Sequence, residues 1–463
     1  MNEVVDQAIW PKILSAALSR GGEYADLYYE AKDTNLMVCE GSQIDKVLSG
    51  TECGIGIRLI KQQKTAYVYT NDFRQENLLQ LAKRLAEHGD QSQADTNIPS
   101  WQRLVAETGF YYRIWPEHFA SAKAEYLLKV DTQVRDEFPL VSQATLSLND
   151  SKRKIITANS YGEITEQTTM HIRAGINIIA EEEGMVQTAT EILSGVSGWE
   201  ILQELNFPRH AFVAAERAST MLSAKPAPLG RMPVILSSEA GGTMIHEACG
   251  HGLEADHIQK RSSIYADQWQ KPVAAKHITV IDDASLPNEF GSYEFDGEGV
   301  AGGRKVLIQD GVLVGLMHDR LSAMQSGVKP TGNGRRESYK HKPMPRMSNT
   351  FIMPYGHDDE YSIIKDTKHG LYVRKIGGGQ VNPVTGDFVF HIQEAYRIEN
   401  GMITYPVRGA TLTGNGPEVL KQIDRIANDL GFASGICGKG GQAVPVGDAQ
   451  PTIRIQELIV GGI

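Results

Sequence analysis

Along the first twenty residues Ile9, Ile13, Leu14, Ala17 and Leu18 recur at helical spacing, which predicts an amphipathic helix over 7–20. After Gly21-Gly22 the period shortens. Segments 25–30, 36–39, 53–60 and 65–70 predict strands, and a second helix follows at about 75–88. The tract from His88 to about Pro99 is polar and unpatterned and reads as a linker. A helix at about 118–136 then leads into strands at 144–148, 153–157 and 169–179, and a helix at about 209–224 closes the run. The two runs share an order of helix, strands and helix, with comparable turns at 40–44 and 159–164, so a two-part repeat over 1–95 and 115–225 is a candidate. Lys225-Pro226-Ala227-Pro228-Leu229-Gly230 reads as a boundary. Beyond it a strand at 232–237 feeds a helix carrying His246, and the remainder is glycine-rich and mostly extended, with few convincing helices before one from Pro417 to Leu430. The expected fold is α+β: an N-terminal α/β region over 1–225, then a β-rich catalytic domain over 228–463.

Composition narrows the partners. The 463 residues carry 46 basic and 56 acidic side chains, a formal charge of -10, which gives no basic face for nucleic acid or anionic lipid. The start, Met1-Asn2-Glu3-Val4-Val5-Asp6, lacks the basic and apolar run of a signal peptide, and no apolar stretch approaches the roughly 20 residues of a membrane span. Four cysteines (39, 53, 249 and 437) are too few for a disulfide framework in this length. A reduced cytoplasmic setting is expected.

The richest chemistry lies between Thr243 and His257, where three His, two Glu, an Asp and a Cys share one short segment. His246 followed by Glu247, with His251 close behind, suits metal-assisted hydrolysis: two imidazoles hold an ion and the carboxylate activates water. The histidines are five apart, whereas the common zinc-protease spacing is four. On a regular α-helix they would diverge by roughly 140°. They can share an ion only if the helix ends or bulges between them, and Gly250 and Gly252 suit such a departure. The other reading is a helix C-terminus whose histidines sit near the last carbonyls.

A hydrolytic zinc takes three protein ligands and leaves one position open. Glu254, Asp256, His257 and the distant Cys437, in the glycine-rich run Gly435 to Gln442, are the candidates, although a lone Cys is more often a small buried hydrophobe. His246-Glu247-x-x-x-His251-Gly252, Thr331 to Tyr339 and Gly435-Ile436-Cys437-Gly438-Lys439 together resemble the TldD/PmbA (TldE) family of zinc metalloproteases. Further matches are Pro343 to Met347, Gly377 to Val381 and Pro406 to Ala410. The likeness spans nearly the full chain and is strongest from about residue 231. It implies the metal-bearing TldD type, with His246, His251 and Cys437 as zinc ligands and Glu247 as general base. It also implies extended peptide or unfolded substrate inside a cavity enclosed by two subunits, either a homodimer or a pair with a metal-free TldE/PmbA-like homologue.

Arg335, Arg336, Tyr339, His341 and Arg346 form a basic and aromatic cluster that could supply an oxyanion donor or grip a peptide carboxylate; the alternative is pairing with the chain's many acids. The run Gly377 to Val381 could approach substrate backbone or form a tight turn. The expected function is therefore a zinc peptidase. A zinc-stabilised peptide-binding or modulator protein without turnover is the competing reading.

Overall fold

The computed structural model describes residues 7–88, 98–106 and 119–462. The first run folds as α1 (Trp10–Leu18), β1 (Tyr24–Glu40), β2 (Gln43–Lys61), β3 (Lys64–Thr70) and α2 (Gln75–Ala86). After β4 (Gln102–Val105) the second run follows: α3 (Phe119–Glu137), β5 (Val141–Asn159), β6 (Glu163–Glu182), β7 (Met185–Gly195), a short α4 (Glu200–Glu204) and α5 (Phe207–Leu222). Most of the tract read as a linker, 89–97, lies outside the described residues.

Both runs build one sheet, ordered β3-β2-β1-β5-β6-β4 with β7 also on β6. They meet where β1 lies antiparallel to β5, from Asp26 opposite Asn159 to Glu40 opposite Thr145. Alternation decides which face is covered. Ile172, Ala174, Ile176, Ile178 and Ala180 of β6 point to one side and pack with Leu127, Val130 and Val134 of α3 and the alanine stripe Ala211, Ala214, Ala215, Ala218 of α5. At the other end Leu27, Ile55, Ile57 and Leu59 receive Trp10, Ile13 and Leu14 of α1 and Leu78 and Leu85 of α2.

Residues 225–462 form two larger sheets. One runs Val312–Leu313, Arg304–Gln309, Val280–Asp283, Asn349–Ile352, Gln442–Gln450 and Gly431–Lys439, so Gly431–Lys439 is an edge strand. In the other, pairings among His369–Val381, Gly230–Leu236, Ile453–Gly462, Ala410–Asn415 and Asp387–Glu399 close into a ring. The fold is α+β with a β-rich C-terminal part. One element departs from expectation. The helix predicted from Pro417 to Leu430 spans only Gly416–Gln422, and Ile423–Ile426 is a strand. Ile423 pairs with Ile455 and Ile426 with Ile453, so ladder pairing at an open sheet position overrides the three-residue apolar spacing.

Buried charge joins the two halves. Arg58 of β2 reaches Asp26 through Nε at 2.6 Å and Glu298 through Nη1 at 2.6 Å, all three almost wholly buried. Segment 335–341 lies over β1 and β2: Tyr67 Oη donates to Tyr339 O at 2.6 Å, and Tyr339 N donates to Glu30 Oε2 at 2.7 Å. A Cβ at Gly54 would sit 2.1 Å from the Tyr339 ring, so only a bare backbone admits this contact. Because removing Arg58 strands two buried carboxylates, Arg58→Ala is expected to destabilise the fold by about 3–5 kcal/mol. A urea denaturation midpoint indistinguishable from that of the unaltered protein would refute this.

Candidate metal centre

The segment that carries the histidines is apolar on one side and polar on the other. Met244, Ile245, Ala248, Cys249 and Leu253 enter the core, while Thr243, His246, Glu247 and His251 line a cavity of about 600 Å³. A single helical turn, Thr243–Ile245, passes into a π-turn over His246–Gly250, in which the His251 N–H donates to His246 O. That i→i+5 bond admits one extra residue per turn and brings positions five apart onto one face. The two imidazoles lie 4.9 Å apart, ring centre to ring centre, at 86°. The bulge required by the spacing is present, but the glycines serve it differently from expectation. Gly250 keeps right-handed backbone angles (φ -51°, ψ -58°); its bare Cα instead makes room for Met347, whose sulfur a Cβ would meet at 2.1 Å. Gly252 likewise admits the ring of Tyr265.

Cys437 arrives from the edge strand Gly431–Lys439, 186 residues along the chain, with Sγ 3.4 Å from His251 Nε2. The nearest ligand atoms of His246, His251 and Cys437 all lie within 4.8 Å of one another. Behind each imidazole stands a carboxylate. Asp448 Oδ1 is 2.7 Å from His246 Nδ1, and Glu254 Oε2 is 3.2 Å from His251 Nδ1, which leaves each Nε2 for an ion. Of the other third-ligand candidates, Glu254 and Asp256 are engaged by Lys439, whose Nζ sits 3.0 Å from Glu254 Oε2 and 2.6 Å from Asp256 Oδ1, and His257 Nδ1 lies 3.2 Å from Ser262 Oγ; these three also have ligand atoms within 4.8 Å of one another.

The electrostatics are those of a cation site. Burial opposes ionisation of Cys437, but hydrogen bonds and charge from His246 and His251 outweigh it and hold the thiol down at about 5. Burial also opposes a charged His251, yet Glu254 and Cys437 carry it up to about 9, and His246 is raised beside Asp448. These shifts favour a thiolate beside positive charge, and a bound dication would displace protons and take over that charge. Two nitrogens and one sulfur, with carboxylates behind the nitrogens, fit a tetrahedral ion with one open position. Glu247, half-buried on the cavity wall, has its carboxyl raised chiefly by burial.

The basic and aromatic cluster is placed elsewhere. None of Arg335, Arg336, Tyr339, His341 and Arg346 lines this cavity. Arg336 faces Asp26 and Tyr67, Arg335 donates to Met347 O, Tyr339 lies on β2, and His341 Nδ1 contacts Ser338 Oγ at 3.0 Å. Arg346 is fully buried and donates to the carbonyls of Cys437 and Gln442, bracing the cysteine strand from within. The run Gly377 to Val381 belongs to a strand rather than a turn, and Gly378 to Val381 line the cavity opposite the edge strand of Cys437. Asp448 carried no recognisable sequence signal: it lies 202 residues from His246 on the partner strand of Cys437.

Three regions match known domains: the PmbA/TldA metallopeptidase domain 1 over 25–88, its central domain over 114–224 and its C-terminal domain over 229–462. A metalloprotease TldD homolog of Haemophilus influenzae is 36% identical, covering 96% of this chain and 94% of that one. The chain belongs to the PmbA/TldD metallopeptidase family. A zinc metalloprotease TldD homolog of Saccharolobus solfataricus is 28% identical over 97% of this chain and 99% of its own. The same fold occurs in TldE from Thermococcus kodakarensis (TM-score 0.74, 17% identity, 98% and 100% of the two chains). It also occurs in a Thermotoga maritima protein described as a candidate modulator of a DNA gyrase (TM-score 0.77, 20% identity, 95% and 96%). Among the described residues no helix is long and apolar enough to cross a membrane.

The carboxylates behind the imidazoles yield a test. Asp448→Asn keeps the shape but removes the charge that orients His246, and is expected to weaken metal binding about 10–100-fold. Competition with a chromogenic chelator measures this; unchanged affinity would show that Asp448 does not support the ligand.

Proposed function

We propose that the protein is a zinc-dependent peptidase in which His246, His251 and Cys437 hold the ion and Glu247 is the general base. The observation that carries this reading is the convergence of the two imidazoles and the thiolate with Glu247 on one wall of an open cavity. Zinc is the metal favoured by one sulfur with two nitrogens, and the Saccharolobus solfataricus relative is named for it. When bound, the ion supplies Lewis acidity that polarises a scissile carbonyl and acidifies water. Glu247 takes the proton from the attacking water and returns it to the leaving amine; its raised carboxyl suits both halves of that exchange.

The cavity also suggests how substrate is held. Gly435 to Lys439 lie on the open side of an edge strand, and Gly378 to Val381 line the same space. An extended peptide adding to such an edge is bound through its main chain, which tolerates varied side chains but excludes folded protein. Short peptides and unfolded segments are therefore the proposed substrates. The proposed assembly is a pair, either two copies or one copy with a TldE-like subunit. A reducing cytoplasm is the proposed setting, since it keeps Cys437 a thiol.

Metal content and peptide hydrolysis, measured together on each variant, test the reading. Glu247→Gln is expected to retain about one zinc per chain and to lose turnover by at least about 10²-fold, whereas Cys437→Ala loses the metal. Full hydrolysis by Glu247→Gln would remove the base assignment. Zinc and peptide binding without hydrolysis, even with a TldE-like partner supplied, would favour a peptide-binding role instead.

A further inference from the structure

A second, smaller cavity of about 60 Å³ shares no lining residue with the metal-side one and lies where the N-terminal sheet meets segment 335–337. Tyr28, Arg153 and His171 from the sheet face Arg335 and Arg336 across it. Two of these guanidinium groups lack a carboxylate of their own, although Arg336 also donates to Tyr67 Oη at 3.3 Å. Arg335 is 8% exposed; it donates from Nη1 to Met347 O at 2.5 Å and stacks 4.9 Å from the Tyr293 ring, with no ion-pair partner among the described residues. Arg336 is 4% exposed; its Nη2 lies 3.5 Å from Asp26, a carboxylate that Arg58 already holds, and its Nε has no hydrogen-bond partner. Only Arg153 has a close acid of its own, Glu30 at 2.6 Å.

The acids in the wall do not close the deficit. Asp296 accepts backbone N–H groups from Glu298, Val300 and Gly334, and burial together with Glu298 pushes its carboxyl up to about 7. Glu337 Oε2 accepts the Ala443 N–H at 2.7 Å. His171 registers the resulting field: burial first, then the charges of Arg153, Arg335 and Lys32, hold its imidazole down at about 3. A buried guanidinium without a counter-charge is costly, and its usual remedy is an oxyanion held by its planar donors.

We propose that this cavity binds a small oxyanion of phosphate size, gripped by Arg335 and Arg336 with Arg153 at the side. A water needs roughly 10–15 Å³ of such space, so the cavity of about 60 Å³ holds about four to six waters, enough for a tetrahedral anion and too little for a stretch of peptide. The bound anion would neutralise the seam between the N-terminal sheet and the segment that reaches Met347.

Calorimetric titration of the full-length protein with inorganic phosphate, against chloride at equal ionic strength, tests this, with acetate as a second arm. One saturable phosphate per chain is expected, weakened at least tenfold in Arg335→Met and unchanged in Cys437→Ala, which separates this site from the metal centre. Arg335→Lys keeps the charge in a folded chain but loses the planar fork, and is expected to bind several-fold more weakly. Arg335-dependent binding of acetate rather than phosphate would support the site and assign it to carboxylates. The proposal fails if neither anion binds up to roughly 10 mM. It fails equally if Arg335→Met binds as the unaltered protein does, or if Cys437→Ala abolishes binding.

Discussion

The hydrogen bond from the His251 N–H to His246 O is the constraint on which the candidate site depends. With α-helical bonding the second imidazole would turn away from the first, and no placement of Cys437 would restore a common centre. A π-turn is intrinsically poorer than the α-turn it replaces, so the surroundings must hold it. They do so by close contact: Met347 presses on Gly250, the Tyr265 hydroxyl donates to Ala248 O at 2.8 Å, and a Cβ on Gly416 would fall 2.2 Å from that same carbonyl. Three glycine or carbonyl contacts from distant segments thus fix one irregular turn.

Charge does the rest of the positioning. Glu254 is completely buried, yet its carboxyl is held down at about 2, because Lys439, His251 and Arg346 more than offset the desolvation that opposes it. Its carboxylate keeps the His251 ring oriented. Lys439 is two residues beyond Cys437, so its bonds to Glu254 and Asp256 tie the cysteine strand to the histidine segment. The ion pair and the candidate ligands are thereby held together: the same short strand that delivers the sulfur delivers the ammonium that steadies an imidazole.

How much of this could be read from sequence follows from how local each signal is. His246, Glu247 and His251 sit within six residues, and their spacing requires an irregular turn if the two imidazoles are to share an ion; the structure contains one. Cys437 is a candidate from its glycine-rich run, but only the resemblance chooses it over Glu254, Asp256 and His257, since a cysteine on a hairpin edge has no local signature. Asp448 left none at all, because its relation to His246 is created by strand pairing across the fold. The arginines from 335 to 346 were open to misreading for the same reason. The partners of Arg336, Asp26 and Tyr67, and the acceptor of the Tyr339 N–H, Glu30, lie roughly 270–310 residues upstream, and a dense run of charge looks like a binding surface until such partners are in place. Ile423 and Ile426 show the reverse error, in which apolar residues three apart suggest a helix although each pairs with a neighbouring strand.

Segment 335–347 shows why the N-terminal sheet matters to the candidate site in the other half. Arg336 and Tyr339 seat it on β1 and β2, and glycines 54 and 56 are bare so that it can approach. A few residues on, Arg346 supports the carbonyl of Cys437, and Met347, fixed by Arg335, fills the hollow over Gly250. One continuous stretch therefore touches the sheet at one end, and the π-turn and the cysteine strand at the other. The Arg336 guanidinium has its nearest carboxylate, Asp26, in the sheet, and the Tyr339 N–H has its acceptor, Glu30, there too. A displacement of the sheet would leave guanidinium groups uncompensated and at the same time loosen the supports of both ligand-bearing elements. The sheet, remote from the cavity and carrying none of the three clustered ligands, is in this sense part of the site's geometry.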